Sequence, residues 1–479
     1  MSTRVRFVLL TVLTTVLALG FVRTTVLGED DARSKRNRAK LAEMRKKLLV
    51  EAGTRHAKVG TWCRDAGLTA QAAAEFVKAV EVSEGENLWA QRILDLMRNL
   101  DDRFWKKKLK KPSAGMIRAY DKRAKKAREW YQKERLKLAK WADKKGLEKE
   151  ALDEYKGVVR LSDDYVKIDP KGLVVLDVGK VPEKYSKRLL ADAVQVNGTP
   201  RIRDAFLEKV PSIKEVHEAT NDRVLVRSQV STEQAKEYLA LCTALLPALE
   251  KDLGAKPTRR LRMFIFAKRA DYEAYCDAAG LGDHKKAAGL ADGGAFVTLV
   301  SAEGHDDETV RGIALHELAH LYQYGVSPTV MPSWYNEGFA ETYGGSGTFA
   351  WDGKALKVAQ PMTAHMIKSL RDDKTFLPLK DLLSGDALKH INAGAGTART
   401  FYNESWAFFT WLRHHADDDL RERFAKFEMV CLGAALGAKA GHHHNRDSAD
   451  TSAYFQRLFG SDLPAMETAF KAWLQTFGD

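Results

Sequence analysis

The sequence predicts an α+β protein in two parts, an all-helical amino-terminal module followed by a domain that mixes strands with helices. Three features predict it. From about Asp30 to Asp164 the chain is charged and rich in Ala and Leu, with only Pro112 interrupting it, and such a stretch folds as successive helices. From Ile213 to Ser301 short apolar runs alternate with one long amphipathic stretch, which is the pattern of an α+β domain. Beyond Glu308 the chain reads as helix and loop.

At 479 residues the chain is long enough for two domains after a leader. Hydrophobic residues make up 45% and charged residues 29%, so a mainly disordered chain is excluded. The net charge of +13 is uneven, because residues 101–160 hold 21 Lys or Arg against 10 Asp or Glu. A surface of that kind meets anionic partners or is simply solvated, and no nucleic-acid recognition motif accompanies it. Specific nucleic-acid binding is not expected.

The first residues carry Arg4 and Arg6, then an uncharged apolar run from Phe7 to Val22, closed by Arg23. Its 16 residues fall short of the roughly 20 that span a bilayer. Residues 1–28 therefore read as a signal peptide, or as an amino-terminal anchor where cleavage does not occur. Export to the periplasm or the exterior is expected, with membrane contact only through an uncleaved leader. Cys63, Cys242, Cys276 and Cys431 are too scattered for a disulfide scaffold or a structural zinc site. Either one bridge, Cys242 to Cys276, or buried free thiols would account for them.

The basic helical module, residues 30–165, contains a repeat. Trp62, Gly67, Leu68, Ala72, Phe76 and Val80 recur 79 residues later as Trp141, Gly146, Leu147, Ala151, Tyr155 and Val159. An aromatic on one helix, Gly-Leu at a turn, then Ala and an aromatic on the next resembles the tetratricopeptide helix pair. That likeness implies a protein partner for the module. Residues 166–212 read as the junction between domains. Gly179 and Lys180 there are no phosphate loop, because Val181 stands where Ser or Thr would hold magnesium.

In the second domain, residues 213–479, the sequence predicts a hairpin over Glu215–His217 and Arg223–Arg227 and a helix over Thr232–Leu253. A strand over Leu261–Phe266, a short helix around Asp271–Ala278, a turn at Gly293-Gly294 and a strand over Ala295–Ser301 follow. Next comes His316-Glu317-Leu318-Ala319-His320. Histidines four apart on a helix project from one face, close enough to share a tetrahedral ion, and Glu317 beside them reaches a water on that ion. Ala314, Leu315, Leu318 and Leu321 form the opposite, core-facing side.

Seventeen residues after His320 stands Glu337, in PSWYNEGFAET, with Glu341 one turn further. This arrangement resembles that of the gluzincin metallopeptidases, over roughly residues 213–415. The resemblance implies a thermolysin-like or peptidase-MA-like zincin domain. In it one Zn2+ is held by His316, His320 and Glu337, Glu341 orients a ligand histidine, and Glu317 is the general base of peptide hydrolysis. It also implies that Ala295, Phe296, Val297 and Thr298 belong to an edge strand that binds extended peptide or protein substrate. The metzincin pattern is excluded, since Gln323 and Val326 stand where it requires Gly and His.

An oxyanion donor is also expected. Tyr402, at a distance from the metal motif similar to that of the tyrosine in aminopeptidase-like gluzincins, is the candidate, with Tyr343 and His390 as rivals. No aminopeptidase motif precedes the metal helix, which favours internal cleavage. His442, His443 and His444 read as a solvated loop, and His414 and His415 as imidazolium caps at a helix end. Two other readings stay open. One is a catalytically silent zinc protein whose helical module binds a protein or an anionic surface, and the other is a zinc hydrolase acting on something other than peptide.

Overall fold

The computed structural model describes residues 3–83, 113–160, 167–168, 173–176, 178–254, 256–257, 259–327, 330–359, 370–371, 376–432 and 448–476, with side chains from residue 32 onward except at 69, 70, 73, 74, 77, 81, 160, 167, 168 and 448–450. The leader's side chains and His442–His444 lie outside the described residues. Among the described residues no helix is long and apolar enough to cross a membrane. The chain is α+β and divides into two compact units, one gathering most of residues 1–192 and the other running onward from Ala193.

The first unit is mostly helical. Helices α1 (Thr3–Asp65), α2 (Thr69–Val82), α3 (Ala114–Lys144) and α4 (Glu148–Arg160) form two helix–turn–helix pairs. Both turns use glycine at positive φ, Gly67 at 78° and Gly146 at 75°, where a side chain would strain the backbone. Phe76 and Tyr155 are fully buried at matching offsets, as are Ala72 and Ala151.

The repeat also reaches residues that the sequence comparison left out. His56 Nδ1 lies 2.7 Å from the buried Glu75 carboxylate, and Arg135 Nε donates to the buried Glu154 carboxylate at 2.8 Å. Each pair is 19 residues apart, and the two are related by the same offset. The stretch 166–212 is more built than a linker. It holds a small antiparallel sheet of β1 (Lys167–Ile168), β2 (Val174–Leu176) and β3 (Gly179–Lys180), followed by helix α5 (Glu183–Ala191).

The second unit is organised on a mixed seven-stranded sheet ordered β5-β4-β6-β7-β8-β10-β9. Its strands are β4 (Val194–Val196), β5 (Thr199–Arg201), β6 (Glu215–Thr220), β7 (Val224–Ser228), β8 (Leu261–Phe266), β9 (Gly289–Asp292) and β10 (Val297–Ser301). Helix α6 (Thr232–Leu253) follows β7, and α7 (Arg269–Ala279) follows β8. Ser231 caps the start of α6 by accepting from Gln234 N, and Gly254 ends it in the left-handed conformation.

Both faces of the sheet are covered, which explains why β8 is apolar without alternation from Met263 to Phe266. Met263 and Ile265 join the core under α6. Phe264 and Phe266 point the other way, into an aromatic layer with Phe206, Tyr272 and Tyr275. The four cysteines are free and buried. The expected Cys242–Cys276 bridge does not form, because Cys242 belongs to the first core, 3.8 Å from Met263 Sδ, and Cys276 to the second.

The remaining elements are α8 (Asp307–Val326), α9 (Ser333–Gly344), the hairpin β11 (Ala350–Trp351) and β12 (Leu356–Lys357), α10 (Leu379–Ser384), α11 (Ala387–Ala393), α12 (Ala395–Thr410), α13 (Asp418–Leu432), α14 (Ser448–Phe459) and α15 (Leu463–Thr476). The order of strands corrects one expectation. β10 pairs with β8 on one side and β9 on the other, so Val297 and Thr298 lie inside the sheet. Among the described residues the edge strand on this side is β9, and Gly293-Gly294 lies in the turn that joins it to β10.

Candidate metal centre

Helix α8 starts at Asp306, whose side chain accepts from Thr309 N at 2.8 Å, with Asp307 and Glu308 suited to the positive helix end. It is buried on nearly all sides, since Ala314, Leu315, Leu318 and Leu321 enter the core while His316, Glu317 and His320 line a cleft of about 940 Å3. Helix α9 crosses close beside it because two glycines meet. A Cβ on Gly344 would sit 2.5 Å from His316 N and 2.7 Å from His316 Cβ, and one on Gly312 would sit 2.8 Å from Gly344 O. Glycine at Gly338 likewise lets α12 approach α9, where a Cβ would run into Ser405 O.

That approach delivers Glu337. His316 Nε2 and His320 Nε2 are 3.0 Å apart, and Glu337 Oε2 lies 3.2 Å from the first and 3.4 Å from the second. Nitrogen and oxygen ligands about 2.0–2.1 Å from a tetrahedral ion would be separated by about 3.3 Å, so the three atoms have the spacing of one face of such a site. The group could hold a metal ion. Glu341 Oε1 stands 3.0 Å from His316 Nδ1, which leaves Nε2 to face His320 and Glu337. His320 Nδ1 is buried with no partner among the described residues.

Electrostatics favour a carboxylate at Glu337. Burial alone would raise its pKa, but the two imidazoles outweigh burial and hold it at about 2. Glu317 shifts the opposite way. Burial raises its pKa despite the imidazoles, Glu337 adds repulsion, and the amide of Ala291 donates to it. His316 is opposed by burial, yet its bonds to Glu337 and Glu341 carry its pKa well above the usual value.

Tyr402 enters the cleft from α12, its ring 5.8 Å from that of His316. Burial and the carboxylates of Glu337, Glu317 and Glu341 all keep its hydroxyl protonated and able to donate. The two rivals point elsewhere. Tyr343 is buried and donates to Asp252 at 2.6 Å, and His390 stacks on Phe401 at 4.5 Å. His414 and His415 lie in the last turn of the helical stretch Trp411–His415; partial desolvation lowers the pKa of both, and His415 stacks on Trp473 at 5.1 Å.

Of the residues expected to bind substrate, Phe296, Val297 and Thr298 are buried, and none of the four lines the cleft. Ala295 and Phe296 instead offer their carbonyls to Arg262. Gly289, Leu290 and Ala291 of β9 face the cleft in their place. Gly289 lies directly under the general-base candidate, for a Cβ there would be 2.9 Å from Glu317 Oε1. The two turn glycines, Gly293 and Gly294, hinted at a hairpin, but Gly-Leu-Ala-Asp before them is too short and unpatterned to be read as its first strand.

Tyr324 was also missed. One turn beyond His320, it stacks over that imidazole at 6.2 Å and 14°, packs over Gly293, and is 41% exposed at one end of the cleft. The helical period alone places it on the face of His316 and His320. Compared with known proteins, the chain matches no family model and none of the curated proteins.

Proposed function

We propose that this protein is a zinc-dependent peptidase of the gluzincin kind, exported through its amino-terminal leader. The observation that carries the reading is the convergence of His316, His320 and Glu337 on one point, with Glu317 beside them and an edge strand along the same cleft. Zinc suits two imidazoles and a carboxylate, and when bound it lowers the pKa of a coordinated water and polarises the scissile carbonyl.

The chain's own groups supply the rest. Glu317, held less acidic than usual by burial, accepts a proton from the attacking water and hands it to the leaving amine. Tyr402 donates its hydroxyl to the oxygen that gains charge. β9 presents backbone groups to an extended peptide, which gives affinity with little demand on side chains. The helical unit, with exposed Lys122, Lys125, Lys126, Lys133, Lys137 and Lys140 along α3, is the surface for a protein or anionic partner.

The test is zinc content together with cleavage of casein and short peptides by the wild type and by Glu317→Gln. The reading requires one zinc per chain in both and hydrolysis in the wild type alone. Zinc bound without cleavage of any peptide in the panel would refute it.

A further inference from the structure

One end of the cleft is bridged by hydrogen bonds between its walls. The segment that leads into β9 supplies His284, Lys286, Ala287 and Ala288 to one wall, and α11 supplies Leu388, Ile391 and Asn392 to the facing wall. These walls meet. Lys286 Nζ donates to Asn392 O at 3.4 Å, and Asn392 Nδ2 donates to Asp283 O at 3.4 Å.

The bridge lies at the start of β9, three residues before Gly289, which is itself in contact range of Glu317. The other end of β9 runs to Asp292 and the turn under Tyr324. A peptide added to an open sheet edge pairs best antiparallel, and antiparallel to β9 it runs from the Asp292 end toward the Gly289 end. Its carboxyl terminus therefore points at the bridge. Three residues of extended chain span about 10 Å, so roughly three substrate residues fit between the reacting bond and the bridge.

We propose that the protein trims peptides from their carboxyl ends, and that Lys286 at the bridged end receives the terminal carboxylate. This rests on the peptidase reading above and narrows it from internal cleavage to release of short carboxy-terminal fragments. Lys286 is exposed within the cleft, and among the described residues it donates to a neutral carbonyl at the long distance of 3.4 Å, so an incoming carboxylate is the stronger partner. Asp306 lines the same end but is engaged in capping α8. Glu308, also there, makes a free amine the competing ligand, which would require a peptide running in the opposite sense.

The experiment uses full-length zinc-loaded protein and one linear peptide of about 15 residues, prepared with a free or an amidated carboxyl end and a free or an acetylated amino end. Mass spectrometry of early products should show fragments of one to three residues leaving the carboxyl end. Amidation should lower kcat/KM about tenfold, and acetylation should change it less than twofold. A binding readout without turnover comes from Glu317→Gln and the fluorescently labelled peptide. The acid should bind about tenfold tighter than the amide, with the difference lost in Lys286→Ala and kept in Lys286→Arg.

Internal cuts indifferent to amidation, or sensitivity to acetylation instead, would overturn the inference while leaving the peptidase reading intact. Absence of cleavage of every form would overturn both.

Discussion

Glu317 and Tyr402 line the cleft from different helices, and the proposed reaction assigns both to one bond. Glu317→Gln should keep the metal and lower kcat by about three orders of magnitude, measured as single-substrate kinetics with zinc content checked in parallel. Tyr402→Phe should lower kcat by about two to three orders with little change in KM, since the hydroxyl serves charge that develops during reaction. Gly289→Ala should impair turnover too, because the added methyl would stand 2.9 Å from Glu317 Oε1; zinc content should be unchanged, and a variant with wild-type kcat would show that Glu317 has other room. The shared face of His316 and His320 was legible in the sequence because a helix fixes where residues four apart point. β9 was not, since Gly-Leu-Ala-Asp is short and carries no alternation of apolar and polar residues.

Between elements, the centre depends on how closely α9 lies against α8. Gly344→Ala would force the helices apart at His316 and should weaken zinc affinity at least tenfold, read by competition with a chelating dye. Behind α9 the helix is held by Tyr335 to Glu428 at 2.7 Å, Tyr343 to Asp252 at 2.6 Å and Arg413 between the two acids at 3.1 and 3.4 Å. Buried charges bonded in this way fix a geometry more than they add stability. Nothing in the local sequence announces such a network, because its members come from α6, α9, α13 and the turn at Trp411–His415. The 79-residue repeat was legible from its aromatics and glycines. Its buried polar pairs were not, because His56 and Arg135 differ in type while each meets a buried carboxylate, Glu75 and Glu154.

For the molecule as a whole, the alternation of strands and helices was readable from periodicity, but the order of strands was not. Order is decided by pairings between segments far apart in the chain, and only it shows that β10 is interior and β9 free. Stability carries one further signature. Glu404 is fully buried, its carboxylate met by the amide of Leu377 at 2.9 Å, and burial raises its pKa to about 8. A folded-state pKa above the unfolded value means that stability from this group is complete below about pH 4.5 and is lost as pH rises through 8, at up to about 1.4 kcal/mol per pH unit. Denaturant midpoints should therefore fall between pH 6 and pH 8.5 in the wild type and fall less in Glu404→Gln; equal slopes would assign the loss to other groups. The central claim is tested most directly by zinc stoichiometry in purified protein, wild type against Glu337→Ala. One zinc per chain in the wild type and less than about a tenth in the variant is the result predicted from three ligands sharing one ion. Wild-type protein that takes up no zinc, or a variant that holds it equally well, would contradict the site.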